Sequence, residues 1–344
     1  MNNVTALPPS VETGACPLAF SGSRRRINPG LRLTSPTPDA LCLGRGDRGF
    51  WLTGIDDADR EYIARLAAVD TQVGYPTTGA PLPETDRCLE LDALMGPLLV
   101  TDGDYRLPGV AADVLAADVA DWSLAYGVHA GPTVQRRRDA VVRVTHLGRA
   151  GQHVAHLLAT AGVGTLLFDD STPTSAADLA AGYLRVSDLG RSRQAALLHR
   201  FETSHPHTRV FSGADETEAD LTVAFPRWPF DEDVSVAQTQ LPIRFGDAEA
   251  VLGPLVIPGA TPCLACALGT RPAGDPAEHP GEITLAASIS ALAATHALMV
   301  VDRINAPATL GHELVLDLAT GATRLEPVTS PAPASSACTC AQDP

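Results

Sequence analysis

Basic residues are scarce. The 344-residue chain has 25 Lys plus Arg against 40 Asp plus Glu, a formal net charge of −15. That balance argues against a protein that tracks nucleic-acid phosphates, which needs a basic stripe. Long apolar runs are also missing: none is read as reaching the ~18 residues that span a bilayer. The longest candidate, Ile289 to Val301, contains Ser290, Thr295 and His296 and reads as a buried helix. The start, Met1-Asn2-Asn3-Val4, has no basic region followed by an apolar core, so no secretion signal is expected. Seven cysteines are an odd number for a disulfide framework in a chain without such a signal. The expectation is a reduced, cytoplasmic protein that binds neither nucleic acid nor membrane. With 45% hydrophobic and 19% charged residues, the chain is globular rather than disordered.

Four stretches differ in character. Residues 1–26 are rich in Pro, Ser, Gly and Thr without a period and read as a disordered arm. Residues 27–107 carry short strand-like pieces, Leu31-Arg-Leu, Ala40-Leu-Cys-Leu and Phe50-Trp-Leu, separated by Pro, Asp and Gly. A helix follows at Tyr62-Ile-Ala-Arg-Leu66, capped by Asp56 or Asp57, and another lies around Leu89 to Met95. This order suggests a small winged-helix-like α+β domain. Residues 108–138 read as a linker, with a helix from Ala111 to Tyr126 and a hinge from Gly127 to Arg138. Residues 139–344 open with a β-turn-α-β unit: strand Ala140 to Leu147, helix Val154 to Ala161, strand Thr165-Leu-Leu-Phe168. A parallel sheet therefore begins there. Leu221-Thr-Val-Ala224 adds a strand, Leu285 to Ile304 a long helix, and Glu313 to Leu318 with Thr323 to Glu326 a hairpin.

The turn of the β-turn-α-β unit carries the first chemical signal. Glycines there let backbone N–H groups at a helix N-terminus approach phosphate oxygens. The positions of a Gly-x-Gly-x-x-Gly run hold His146, Gly148 and Gly151, so the first glycine is a histidine. Asp170 ends the second strand, where such folds place the acid that holds a ribose hydroxyl. The motif fits a Rossmann-type dehydrogenase using NAD, an ATP-dependent activating enzyme, or a loop that binds nothing.

The second signal is cysteine spacing. Cys263-Leu-Ala-Cys266 and Cys338-Thr-Cys340 form two close pairs. Four thiolates suit a tetrahedral structural Zn2+ with no open position for catalysis. Cys16, Cys42 and Cys88 stand alone and read as packing residues.

The glycine loop, the acid after the second strand, the C-x-x-C and the C-terminal cysteine pair together resemble the ThiF/MoeB-like branch of the ubiquitin-activating-enzyme superfamily. The resemblance covers about Ala140 to Cys340. It is carried by Ala161-Gly-Val-Gly164, the run from Thr172 to Arg185, Asp188-Leu-Gly-Arg-Ser-Arg193, and the run from Gly253 to Cys266. The last three runs resemble the ThiF-like proteins of azole-modified peptide (bacteriocin, thiopeptide) biosynthesis. That sub-branch implies a Rossmann-like sheet domain preceded by a winged-helix leader-peptide-recognition domain. It also implies two partners, a precursor leader peptide and a YcaO-type cyclodehydratase, while the resemblance to the wider superfamily implies a homodimer in which the helix Leu285 to Ile304 packs between subunits.

Three departures from the adenylating pattern bear on activity. The Asn-Leu-x-Arg-Gln run of active members aligns with Asp178-Leu-Ala-Ala-Gly182 and has no Arg. Their later Lys aligns with Arg193, and a guanidinium does not replace a point charge. Where their magnesium-holding Asp follows the strand at Leu221, Phe225-Pro226 stands here. Adenylyl transfer relies on such charge neutralisation. The expectation is thus an emptied nucleotide site at Gly148, Gly151, Asp170 and Arg193, no ATP chemistry and no independent activity. A divergent adenylyltransferase remains the alternative. For the peptide, strand addition to a sheet edge is the simplest mode. The candidate groove is formed by Leu31, Leu33, Leu41 and Leu43 facing Ile63 and Leu66.

Overall fold

The structure, a computed structural model, describes residues 4–6, 25–45, 49–67, 85–101, 105, 107, 110–213, 218–226, 238–268 and 280–328. The chain divides into two compact units, Met1–Gln135 and Arg136–Pro344. Cys16, Cys338 and Cys340 lie outside the described residues, as does the arm apart from residues 4–6 and 25–26.

In the first unit, strands β1 (Val4–Ala6), β3 (Leu33–Thr37), β4 (Ala40–Leu43) and β5 (Phe50–Thr53) make one sheet in the order β1-β5-β4-β3. A separate pair joins β2 (Arg25–Ile27) to β6 (Leu99–Thr101). Helix α1 (Asp57–Ala67) starts where Asp56 accepts from the Asp59 N–H at 2.8 Å, the cap foreseen from sequence. Helix α2 (Asp86–Met95) starts at Thr85, whose hydroxyl accepts from the Cys88 N–H. Leu41, Leu43, Leu52, Tyr62, Ile63, Leu66, Leu91 and Met95 form a single apolar core. Helix α3 (Val110–Tyr126) is tied into this unit, because the buried Asn28 amide donates to the Ser123 carbonyl at 2.7 Å. The segment Gly127 to Arg138, read above as a hinge, contains helix α4 (Gly131–Arg136) followed by a tight turn. Pro132 near the start of α4 suits the position where no N–H is needed, and Val134 is fully buried.

The second unit is an eight-stranded sheet. Its strands are β7 (Val141–Val144), β8 (Thr165–Phe168), β9 (Arg209–Ser212), β10 (Leu221–Ala224), β11 (Gln240–Gly246), β12 (Glu249–Leu252), β13 (His312–Asp317) and β14 (Thr323–Pro327), in the order β14-β13-β12-β11-β10-β7-β8-β9. From β11 to β9 every pairing is parallel, and from β11 to β14 every pairing is antiparallel. Its helices are α5 (Arg149–Thr160), α6 (Arg193–Ser204), α7 (Leu264–Leu268) and α8 (Ile283–Asp302). β7, β8 and β10 each carry three apolar residues in four; β8 and β10 are buried throughout and β7 at alternate positions, the pattern of a sheet covered on both faces.

Helix α8 corrects one sequence reading. By length and composition it is apolar enough to cross a membrane, because its alanines raise the mean hydropathy around the few polar residues. Two of those polar residues, Ser290 and His296, are spent inside the unit. Ser290 donates to the Ala150 and Ala286 carbonyls, and His296 meets Thr309 at 3.0 Å. At its end Asp302 takes a two-pronged ion pair from Arg137, 2.8 and 2.6 Å, with both side chains fully buried.

Candidate functional site

In an open parallel sheet, ligands bind outside the carboxyl ends of the strands, where the strand order reverses. Here that point lies between β7 and β10. The chain runs from β7 outward through β8 to β9, then returns to β10 on the other side. The loops leaving β7 and β10 meet there. The Phe225 N–H donates to the Thr145 hydroxyl at 3.0 Å, and the rings of His146 and Phe225 lie 5.5 Å apart. Both side chains are buried at this point.

Two glycines set the loop that follows. A Cβ on Gly151 would sit 1.7 Å from the His146 carbonyl oxygen, so the first turn of α5 is pressed against the strand exit. A Cβ on Gly148, the N-cap of α5, would sit 2.6 Å from His146 Nε2. The imidazole therefore lies against the glycine over which a phosphate would have to approach. Arg149, the first residue of α5, is turned to structure: it donates to the carbonyls of Ala177 and Gly281.

Beneath the loop four ionisable side chains face one another, each almost wholly removed from water. Asp170 follows β8 and accepts from the N–H groups of Leu147, at 2.8 Å, and Thr172, at 3.0 Å. Its Oδ2 also faces His146 Nδ1 and Arg193 Nη1, each at 3.3 Å. Burial works against its charge, but Leu147, Thr172, His146 and Arg193 outweigh that and hold the carboxyl below the usual range. Arg193 opens α6, and its Nε donates to Asp178 at 2.9 Å. Asp178 in turn accepts from the Ser175 N–H and hydroxyl. Gln152 donates from its amide to the carbonyls of Leu147 and Asp178. The structure places Asp170 and Arg193 together beneath the loop that carries Gly148 and Gly151. It adds Asp178, which the Ser175-x-x-Asp178 capping pattern could have flagged.

The residues fit a nucleotide poorly. The acid for a ribose hydroxyl and the cation for a phosphate are both engaged internally, and a histidine ring covers the loop glycine. As folded, the ion pairs of the cluster tie Asp170, Asp178 and Arg193 to one another and to His146 beneath the loop.

The cysteine pair lies elsewhere in the unit. The N–H of Ala267 donates to the Cys263 carbonyl, so one helical turn carries both buried Cys263 and Cys266. That suits two ligands of a four-thiolate site. Among the described residues no group of three or more His, Cys, Asp or Glu is placed to hold a metal.

In the first unit Leu41, Leu43, Ile63 and Leu66 do meet, but as buried core, with Leu31 and Leu33 partly buried against them. β4 is hydrogen-bonded on both sides, so Ala40 to Leu43 has no edge left for an added strand.

No protein-family model matches the sequence, and no curated protein does. Solved structures do resemble it. The crystal structure of E. coli MccB with ATP aligns at TM-score 0.65 and 15% identity, covering 91% of this chain and 99% of that one. The microcin C7 biosynthetic enzyme MccB in complex with N-formylated MccA aligns at 0.63 and 14%, covering 92% and 99%. The structure of PaaA aligns at 0.64 and 14%, covering 87% and 98%. The chain thus shares the fold of these solved structures over most of its length.

Proposed function

We propose that the chain is a non-catalytic ThiF-like adaptor. It binds the leader of a ribosomal precursor peptide and presents it to a YcaO-type cyclodehydratase for azoline or azole formation. The observation that carries this reading is the internally engaged cluster of His146, Asp170, Arg193 and Asp178 under a ring-covered glycine loop. A transition state that develops charge needs donors and cations aimed at it, and removing one such donor costs about 3–4 kcal/mol of barrier. Peptide binding is supported by the likeness to MccB, which has been seen in complex with MccA. In the same reading Cys263, Cys266, Cys338 and Cys340 hold a structural Zn2+ that clamps the C-terminal tail, and two copies of the chain pair as a homodimer.

Calorimetric titration of Mg·ATP into zinc-loaded protein tests the first half. The expected result is no saturable heat, alongside binding of a leader peptide and of a YcaO-type cyclodehydratase. Elemental analysis should return one zinc per chain, reduced when Cys263 and Cys266 are both changed to Ser. A divergent adenylyltransferase is the second reading, favoured by the presence of Asp170 and Arg193 at the loop and by the likeness to MccB with ATP. Saturable, magnesium-dependent ATP binding with pyrophosphate exchange would put that reading first.

A further inference from the structure

Away from the glycine loop, ring side chains from three parts of the second unit meet. His153 and His156 lie three residues apart on α5 and so share one face of that helix. Tyr183 follows Gly182, which is left-handed at φ 85°, and its ring sits 5.3 Å from His153 and 4.9 Å from His156. His205, just past the end of α6, lies 4.9 Å from His156 and stacks on Phe201 at 4.6 Å. The contacts suit neutral rings. The Tyr183 hydroxyl meets His153 Nδ1 at 3.2 Å, and the Ser204 hydroxyl meets His205 Nδ1 at 2.8 Å. His153 Nε2 and His156 Nδ1 are buried and find no hydrogen-bond partner among the described residues. A neutral imidazole can leave one nitrogen bare, whereas an imidazolium carries a proton on both.

The charged groups of the surrounding elements are committed elsewhere. Arg149 of α5 donates to the Ala177 and Gly281 carbonyls, Asp178 holds Arg193, and Asp188 holds Arg200 at 2.9 Å. Glu202 lies with His199 on the exposed side of α6, and Arg185, Arg191 and His207 are exposed. Burial holds all three imidazoles below the ordinary histidine range, and His156 adds to this at His153 and His205. Burial also pushes the Tyr183 phenol up, so it stays uncharged. Tyr183 in turn belongs to an otherwise exposed turn. From Gly182 to Arg191, Leu184 and Asp188 are buried, Tyr183 is half-buried and the rest are exposed.

We propose that His153, His156, His205 and Tyr183 form a proton-operated latch on this turn: neutral imidazoles hold it against α5, and proton uptake releases it while the sheet stays folded. The inference goes beyond the adaptor reading and does not depend on it. The latch is shut above about pH 6.5, the ordinary histidine value. It opens as pH falls through the lower values of the folded rings. What it changes is the presentation of Val186 and Leu189, the exposed apolar residues of the turn.

Hydrogen exchange on the full chain at pH 7.5 and 5.5, with the chemical exchange rate divided out, tests this. The amide of Gly182 donates to the Leu179 carbonyl and that of Arg185 to the Asp188 carboxylate. Exchange at both should rise at least tenfold at pH 5.5 and return on neutralisation, while Val142 and Leu166, inside the sheet, keep their protection. Replacing all three histidines with Gln should leave the turn slow at both pH values, and Tyr183→Ala should make it fast at both. The unaltered chain by itself can sink the idea: equal protection of the turn at the two pH values would overturn it, as would loss of protection at Val142 and Leu166 together with the turn. The same acid response in a folded chain without the three histidines would overturn it as well.

Discussion

At the mouth of the eight-stranded sheet four ionisable side chains face one another. At the edge of the four-stranded sheet a row of backbone groups faces a strand only three residues long. The first arrangement is saturated: Asp170, Asp178, Arg193 and His146 find partners within 3.3 Å in the same cluster. The second is provisional, since Val4–Ala6 offers a minimal ladder to Phe50–Thr53. The contrast teaches where each unit can interact. In the first region buried side chains hold one another, whereas in the second a short run of backbone groups holds the edge.

The largest effect that could break this comparison is at Arg193. Removing one partner of a buried ion pair leaves an uncompensated charge and costs about 3–5 kcal/mol. Arg193→Ala strips the cation from both Asp170 and Asp178, so the urea midpoint of the second unit should fall by a corresponding amount. A loss under about 0.5 kcal/mol, the range of ordinary surface changes, would mean that the cluster is not committed to structure.

A smaller effect is expected from pH. His153, His156 and His205 lie together, with Tyr183 and His205 each about 4.9 Å from His156 ring to ring. Burial holds all three below the ordinary histidine range, and His156 adds to the lowering at His153 and His205. The folded state therefore binds fewer protons than the unfolded one. The stabilisation is complete above about pH 6.5, the unfolded value, and is lost as pH falls through the folded values. Melting temperature should drop between pH 7.5 and 5.5, and His156→Leu should flatten that slope. Asp170 adds its own loss in a separate acidic window, below the ordinary carboxylate value, because its folded form is the more acidic. A melting curve independent of pH down to 5.5 would remove the histidine trio from the account.

The smallest effect sharpens the other side. Arg60→Ala frees the carbonyls of Thr37 and Pro38, to which the guanidinium donates at the β3 edge, and should cost about 1 kcal/mol, the scale of a net hydrogen bond. Sedimentation should still give the same assembly state, because Pro36, which has no amide to offer, remains in β3. Combining it with Pro36→Thr should promote self-association if the edge is truly protected by these residues, and no change would argue that another feature protects it.

Much of the second unit was readable because glycines punctuate it. Gly148 caps α5 and Gly162-Val-Gly164 ends it, so the β7–α5–β8 order followed from spacing, although α5 begins five residues before the apolar run that marked it. β9 passed unnoticed, as its four residues alternate between exposed and half-buried at a sheet edge. The β11–β12 hairpin was hidden too, since its turn uses Ala248 at φ 57° rather than a glycine. In the first unit the apolar pattern identified Leu41, Leu43, Ile63 and Leu66 as meeting, which they do. Periodicity cannot tell a core from a groove, and here they make a core. The network at the loop was only half legible: Asp178 and Arg193 are 15 residues apart and are joined by the fold rather than by a motif.

The Arg137–Asp302 pair sets a schedule for synthesis. Its two members are 165 residues apart in the chain. At roughly 5–20 residues per second, about 8–30 s pass between the emergence of the cation and that of its carboxylate. Throughout that interval the guanidinium lacks its buried partner, and the pair can close only after Asp302 has emerged. Any attempt to produce that unit alone has to begin before Arg137 and extend past Asp302.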